Sequence, residues 1–510
     1  MTTQAATARW FARHEFRLAW RDWLWMMTAG RRYRERAVAI VLVLFVALMH
    51  LFAWSVVGRY AALGAHPDKA ALVGVTCTLL LSFSLMLSQA MESVTRAFYA
   101  RGDLELLLSS PVEARAVFAV RIAALAVSTT MLGLALAAPF IDMLAVIGGA
   151  RWLAAYGVVA ASGLIASSLA VALTVALFRL IGPKRTRLIA QIVAAVIGAA
   201  FIIGLQVVAI LNYGTISRTA LMHSQALVAH APALDSAAWW PARAALGDWR
   251  IMAAILSLSL LILAVAVTVF STRFGDHVIA AASVTETHRR QREGASFRGG
   301  SPLRALRRKE WMLLRRDPWL ISQTLMQLLY LLPPALMLWK SFGHGHGALV
   351  LLVPVLVMAS GQLAGGLAWL AISGEDAPDL VASAPIGRGA ILRAKIEAVM
   401  GAIAMVFAPF ILPLALIAPR DALIAALGVL AAAAASTTVQ LWFRSQAKRS
   451  HFRRRQISSR LATFAEAFSS ITWAATAALA AAGTWFAVAT GLIALLVLAG
   501  TRALAPKAAA

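Results

Sequence analysis

Apolar runs of about 18 or more residues recur from one end of this chain to the other, each long enough to cross about 30 Å of hydrocarbon. They fall at roughly 37–57, 71–95, 118–144, 152–178, 188–211, 251–271, 320–340, 348–373, 396–418, 421–443, 461–482 and 485–503. The runs are continuous, not alternating, and rich in Ala, Leu, Val and Ile. They therefore predict spanning helices, not the strands of a membrane barrel. The fold class expected is all-α: a polytopic membrane protein of about twelve transmembrane helices.

The polar segments between the runs carry a repeat. Arg13-His14-Glu15-Phe16-Arg17-Leu18-Ala19-Trp20-Arg21-Asp22 returns 295 positions on as Arg308-Lys309-Glu310-Trp311-Met312-Leu313-Leu314-Arg315-Arg316-Asp317. Each copy is basic and aromatic and precedes an apolar run, which predicts a helix lying on the membrane surface. In the first, Phe16, Trp20, Trp23 and Met27 share one helical face while Arg13, Arg17 and Arg21 share another. In the second, Asp317-Pro318 is expected to end the helix. A generic membrane anchor is the plainer reading of either copy alone, and the duplication weighs against it.

Two more matches keep the same order. Asp103-Leu104-Glu105-Leu106-Leu107-Leu108-Ser109-Ser110-Pro111-Val112 pairs with Ala377-Pro378-Asp379-Leu380-Val381-Ala382-Ser383-Ala384-Pro385-Ile386, and Phe178-Arg179 with Phe443-Arg444. Between the halves, 288–301 is charged, Gly-rich and without apolar period, so it reads as a cytoplasmic linker. The expected organisation is a six-helix module over 1–287, that linker, and a second six-helix module over 302–510, each preceded by an amphipathic surface helix. Six crossings return the chain to its starting side, so the repeats are parallel. Only the first module has a long external cap, 212–250, with Trp239, Trp240 and Trp249 placed like interfacial anchors.

Charge then orients the chain. Of its 47 Lys and Arg, 39 fall on the side of the N-terminus and 8 on the other. That bias places both termini in the cytoplasm of a cell (inner) membrane. It also accounts for the net charge of +25 through contact with anionic lipid, and nucleic-acid binding is not expected because no basic face is interleaved with stacking aromatics. The 61% hydrophobic content and mean hydropathy of +0.78 exclude a soluble globule. About 36 mostly polar residues precede the first run, so no cleavable signal peptide is expected. The lone Cys77 lies in an apolar run and defines no disulfide framework.

Candidate chemistry is sparse. No Gly-Lys dipeptide occurs, hence no phosphate-cradling G-x-x-x-x-G-K-[ST] loop. No paired carboxylates, His cluster or nucleophile set supports an enzyme. His344 and His346 share a turn, but no third metal ligand lies nearby. Asp142, Gln89, Gln191, Gln206, Gln362, Gln440 and Glu466 sit in the runs and read as packing glue sooner than substrate ligands. Gly361 and Gly365 read as a close helix–helix contact.

The inner loops at 101–122 and 375–396 carry acids, an apolar patch, a Ser-x-Pro or Ser-Ala-Pro phrase and then basic residues. Acids are repelled by anionic headgroups, so these loops read as docking surfaces for a soluble partner, the plainer alternative being a solvated loop. The order of surface helix, two spans, such a loop and further spans resembles the permease subunits of ABC-2-type exporters. Arg308-Lys309-Glu310-Trp311-Met312-Leu313-Leu314-Arg315-Arg316-Asp317-Pro318 is the most family-like phrase. The resemblance covers both halves by pattern and order. It implies that Glu15, Arg21, Asp22, Glu310, Arg316 and Asp317 belong to elbow helices. It makes Asp103, Glu105, Ser109, Pro111, Asp379, Ser383 and Pro385 the residues that couple to an ATPase. It further implies two copies of a separate ATPase subunit holding the ATP and magnesium, with no cofactor on this chain, and a cargo expected to be amphipathic or hydrophobic. Family permeases often have six spans and dimerise, whereas this chain fuses two modules. An ion-gradient-driven secondary transporter with parallel repeats is the alternative.

Overall fold

The computed structural model describes residues 35–61, 67–99, 114–213, 231–283, 301–316, 349–373, 383–443 and 460–505, together with 13–18, 20–21 and a few isolated positions. The helices are α1 (Glu35–Ala61), α2 (Lys69–Tyr99), α3 (Ala114–Gly148), α4 (Ala154–Tyr213), α5 (Trp240–Ala245) and α6 (Trp249–Ser283). They continue as α7 (Pro302–Arg316), α8 (Leu349–Ser373), α9 (Arg388–Ile417), α10 (Pro419–Phe443), α11 (Arg460–Ala481) and α12 (Phe486–Leu504). No strand occurs among the described residues, and nine helical stretches are long and apolar enough to cross a membrane. The protein is an all-helical, polytopic membrane protein. The run at 320–340 lies largely outside the described residues.

The chain divides into two compact units, Met1–Leu205 with Ser217–Thr287, and Gln206–Ile216 with His288–Ala510. In the first, α2, α3, α4 and α6 enclose a core around Met91, Phe118, Ile122 and Val171. Ser88 on α2 donates its hydroxyl to the Ala194 carbonyl on α4 at 2.7 Å, and Ser84 does the same to Ile197. Small polar side chains of this kind join helices where lipid supplies no hydrophobic drive for association. Large apolar side chains such as Leu136 on α3 and Leu261 on α6 stay exposed, as expected of helices facing acyl chains.

The expected loop at 179–187 is a one-residue break. Helix α4 runs 60 residues through Gly182, where φ is 74° and ψ 168°. Glycine accepts that conformation without a Cβ clash, and Pro183 can begin the next stretch because its missing N–H would have had no partner there. Thr186 donates to the Gly182 carbonyl at 2.8 Å.

Of the three cap tryptophans, Trp239 is not an interfacial anchor. It is buried against Trp152, Leu72 and Leu246, and its indole N–H donates to the Ala233 carbonyl at 3.0 Å. Trp240 and Trp249 are about half exposed. The 3₁₀ turn Ala237–Trp239 runs directly into α5, and across that junction Trp239 is buried while Trp240 is exposed.

In the second unit α8 is the central helix, packed by α9, α10 and α11 around Leu352, Leu356, Val357, Ile403, Phe407 and Val429. Gly361 and Gly365 form the expected close contact. A Cβ on Gly361 would lie 2.4 Å from Ser470 Oγ, and one on Gly365 only 1.8 Å from Glu466 Oε1. Glu466 in turn accepts from Gln440 Nε2 at 2.7 Å. Two of the polar residues expected to act as packing glue therefore join α10 to α11.

Candidate functional site

The second surface phrase folds as α7. Pro302 opens the helix, and the Ser301 carbonyl accepts from the amides of Arg304 and Ala305. Leu306, Glu310 and Leu314, spaced at i, i+4 and i+8, form its buried stripe, while Arg304, Arg307, Arg308 and Arg315 are exposed. A carboxylate at the centre of an apolar stripe requires a partner, because a lone buried charge costs several kcal/mol.

That partner comes from α9. Lys395 Nζ lies 3.0 Å from Glu310 Oε1, and Lys309 Nζ approaches the same oxygen at 3.4 Å. Lys395 Nζ also donates to the Ala371 carbonyl near the end of α8. One ammonium thus joins α7, α8 and α9. Two residues further along α9, Glu397 is held by Arg307, whose Nη2 lies 3.0 Å from Oε1, and by Arg393 at 2.9 Å. This outer pair is exposed, and the hydrogen-bonded carboxylate holds the Arg307 guanidinium above its ordinary pKa. Trp311 packs along Gly401, where a Cβ would meet Cζ2 at 3.0 Å.

The contacts close the base of the inner loop. Ser383 and Pro385 are exposed in the turn that leads into α9, and the Ile386 amide donates to the Ala384 carbonyl at 2.7 Å. Gly387 follows as the cap residue, its carbonyl accepting from Ala390 at 2.9 Å. The structure therefore brings Ser383, Pro385 and Glu310 to one end of the second unit. Asp379 lies outside the described residues, as do Asp103, Glu105, Ser109, Pro111, Asp22 and Asp317. Glu15 and Arg21 are helical, with Arg21 exposed, and Trp10 stacks on His14 with centroids 5.1 Å apart. Arg316 is the last residue of α7.

Sequence reasoning did not find Arg307, Lys395 or Glu397. The i, i+4 spacing of Arg393 and Glu397 was one available signal. Lys395 reads from sequence as one more basic residue at the lipid surface. Among the described residues no group of three His, Cys, Asp or Glu side chains is placed to hold a metal ion.

Comparison of the chain with protein-family models, with curated proteins and with solved structures found no match.

Proposed function

We propose that this chain is the permease subunit of an ATP-driven exporter of the ABC-2 type. The observation that carries the reading is the tie between Lys395, Glu310 and Ala371. It joins the surface helix to the helices on both sides of the inner loop, so a push on that loop would move α7, α8 and α9 together. In this reading the chain has about twelve spans in two parallel six-helix repeats, with both termini in the cytoplasm. Asp103, Glu105, Ser109 and Pro111, with Asp379, Ser383 and Pro385, receive the force from two copies of a separate ATPase that binds ATP and magnesium. The cargo in this reading is amphipathic or hydrophobic. The basic character of the loop-bearing side and the absence of a Walker loop from the sequence support the division of labour.

The test is purification of the tagged chain from its host membrane. A Walker-type ATPase should co-purify at two copies per permease, and Glu105→Lys with Asp379→Lys should weaken that association while the fold persists. Unchanged binding after both reversals would show the coupling loops to be misplaced. Transport that runs on an ion gradient without ATP would replace the exporter with the secondary transporter.

A further inference from the structure

We infer that His50, Asp142 and Tyr156 form a one-proton site that latches α1 to the rest of the first unit. This inference does not depend on the exporter reading. The three residues come from α1, α3 and α4. His50 Nδ1 lies 2.7 Å from the Val46 carbonyl, and His50 Nε2 lies 3.2 Å from Asp142 Oδ2. The Tyr156 hydroxyl donates to Asp142 Oδ1 at 2.6 Å.

The geometry counts the proton. A carbonyl oxygen can only accept, so the Val46 contact requires a hydrogen on Nδ1. A neutral ring then presents a lone pair at Nε2. Facing an ionised carboxylate, that lone pair would meet another and the two would repel. The contact is a hydrogen bond only if one further proton lies between Nε2 and Oδ2. It can sit on the nitrogen, as imidazolium and carboxylate, or on the oxygen, as imidazole and carboxylic acid. Either way the pair holds one proton and is neutral overall, which suits a site inside an apolar run.

Apart from each other, above about pH 6.5, the pair would mostly lack this proton, because a free imidazole is then mainly neutral. Forming the latch therefore takes up a proton. Linkage gives the sign: the latched form binds more protons, so the latch weakens as pH rises. The ring meets Asp142 from α3, and Asp142 in turn meets Tyr156 from α4; among the described residues Asp142 is the charged group that lies against the ring. Arg151, in the turn 150–153, has its guanidinium 5.6 Å from the Trp152 ring centroid. Arg36, on α1 itself, is about 21 Å away along the helix.

The position makes the site consequential. Helix α1 buries Ala53 and Val57 but leaves Leu44, Phe45 and Leu51 mostly exposed, so it touches its unit along a narrow stripe. Phe52 meets Phe140 edge-on at 6.4 Å. Among the described residues, His50 to Asp142 is the polar link from α1 to another helix.

The experiment uses the full chain in lipid nanodiscs. Asp142→Asn keeps the shape and the links, because the amide can donate to a neutral Nε2 while its oxygen accepts from Tyr156, but it needs no proton. Wild-type stability should fall by up to about tenfold in the folded-to-unfolded ratio per pH unit above about pH 6.5, as the proton is lost. Asp142→Asn should lack that component. Identical pH profiles for the two proteins would overturn the site. In the wild type, ¹⁵N NMR of the His50 ring, assigned by its loss in His50→Gln, should report at pH 7 either both nitrogens protonated or a hydrogen bond from a protonated carboxyl. A neutral ring beside an ionised Asp142 would overturn the inference even if the variant did not fold.

Discussion

Lys395 Nζ lies 3.0 Å from Glu310 Oε1, and Glu310 is fully buried. The two residues are 85 positions apart, and the contact seats the surface helix α7 on the base of α9. Removing one partner strands a charge. Lys395→Met should therefore destabilise the second unit by about 3 kcal/mol, near the low end for broken buried pairs because Lys309 stays close by. Glu310→Met together with Lys395→Met should recover most of that loss, since an apolar replacement of a buried pair is often neutral. Denaturant unfolding in detergent reads both. A double variant no more stable than Lys395→Met would show that the pair is not the link.

The neighbouring pair offers a contrast. Arg307 and Glu397 make two hydrogen bonds but remain in reach of water. Solvent screening should leave Arg307→Ala with a much smaller effect than Lys395→Met, and added salt should reduce it further. If the same unfolding experiments rank the two variants in the opposite order, α7 is held from its exposed side.

Glu466 lies against Gly365 with no room for a methyl group. Gly365→Ala should move the carboxylate off Gln440 and cost about 1–3 kcal/mol, the usual range for overpacking. Trimming the obstruction should relieve it: Gly365→Ala with Glu466→Ala should be more stable than Gly365→Ala alone. Thermal unfolding of the three variants decides this. Failure of the second substitution to help would mean that backbone contact, not Glu466, fills the space.

The sequence made the helical membrane character legible because twenty or so continuous apolar residues have few other uses. The Gly361–Gly365 contact was legible for a related reason: small residues one turn apart mark where another helix comes close. The ties at Glu310–Lys395 and His50–Asp142 were not. Their partners are 85 and 92 positions apart, and no periodicity links a residue to a helix that packs beside it only after folding. The pattern around Glu310 predicts a surface helix, and the burial of Glu310 shows that one face of that helix is an internal contact. Trp239 failed differently. Its type suits a membrane interface, but at the end of the 3₁₀ turn before α5 it is packed inward while Trp240 stays outside.

The break in α4 separates backbone strain from packing. At Gly182 φ is 74°, yet a Cβ there would meet nothing within 4 Å. Any cost of Gly182→Ala must therefore come from forcing an L-residue to positive φ, on the order of 1–3 kcal/mol for a sparsely populated conformation. Gly204, further along the same helix, also has open space for a Cβ but no positive φ. Gly204→Ala should be neutral or stabilising by about 0.5–1 kcal/mol, because alanine restricts the unfolded chain and favours helix. Thermal unfolding of the two single variants gives the comparison. Equal effects at both positions would show that α4 runs straight through Gly182, and the two spans would then have no turn between them.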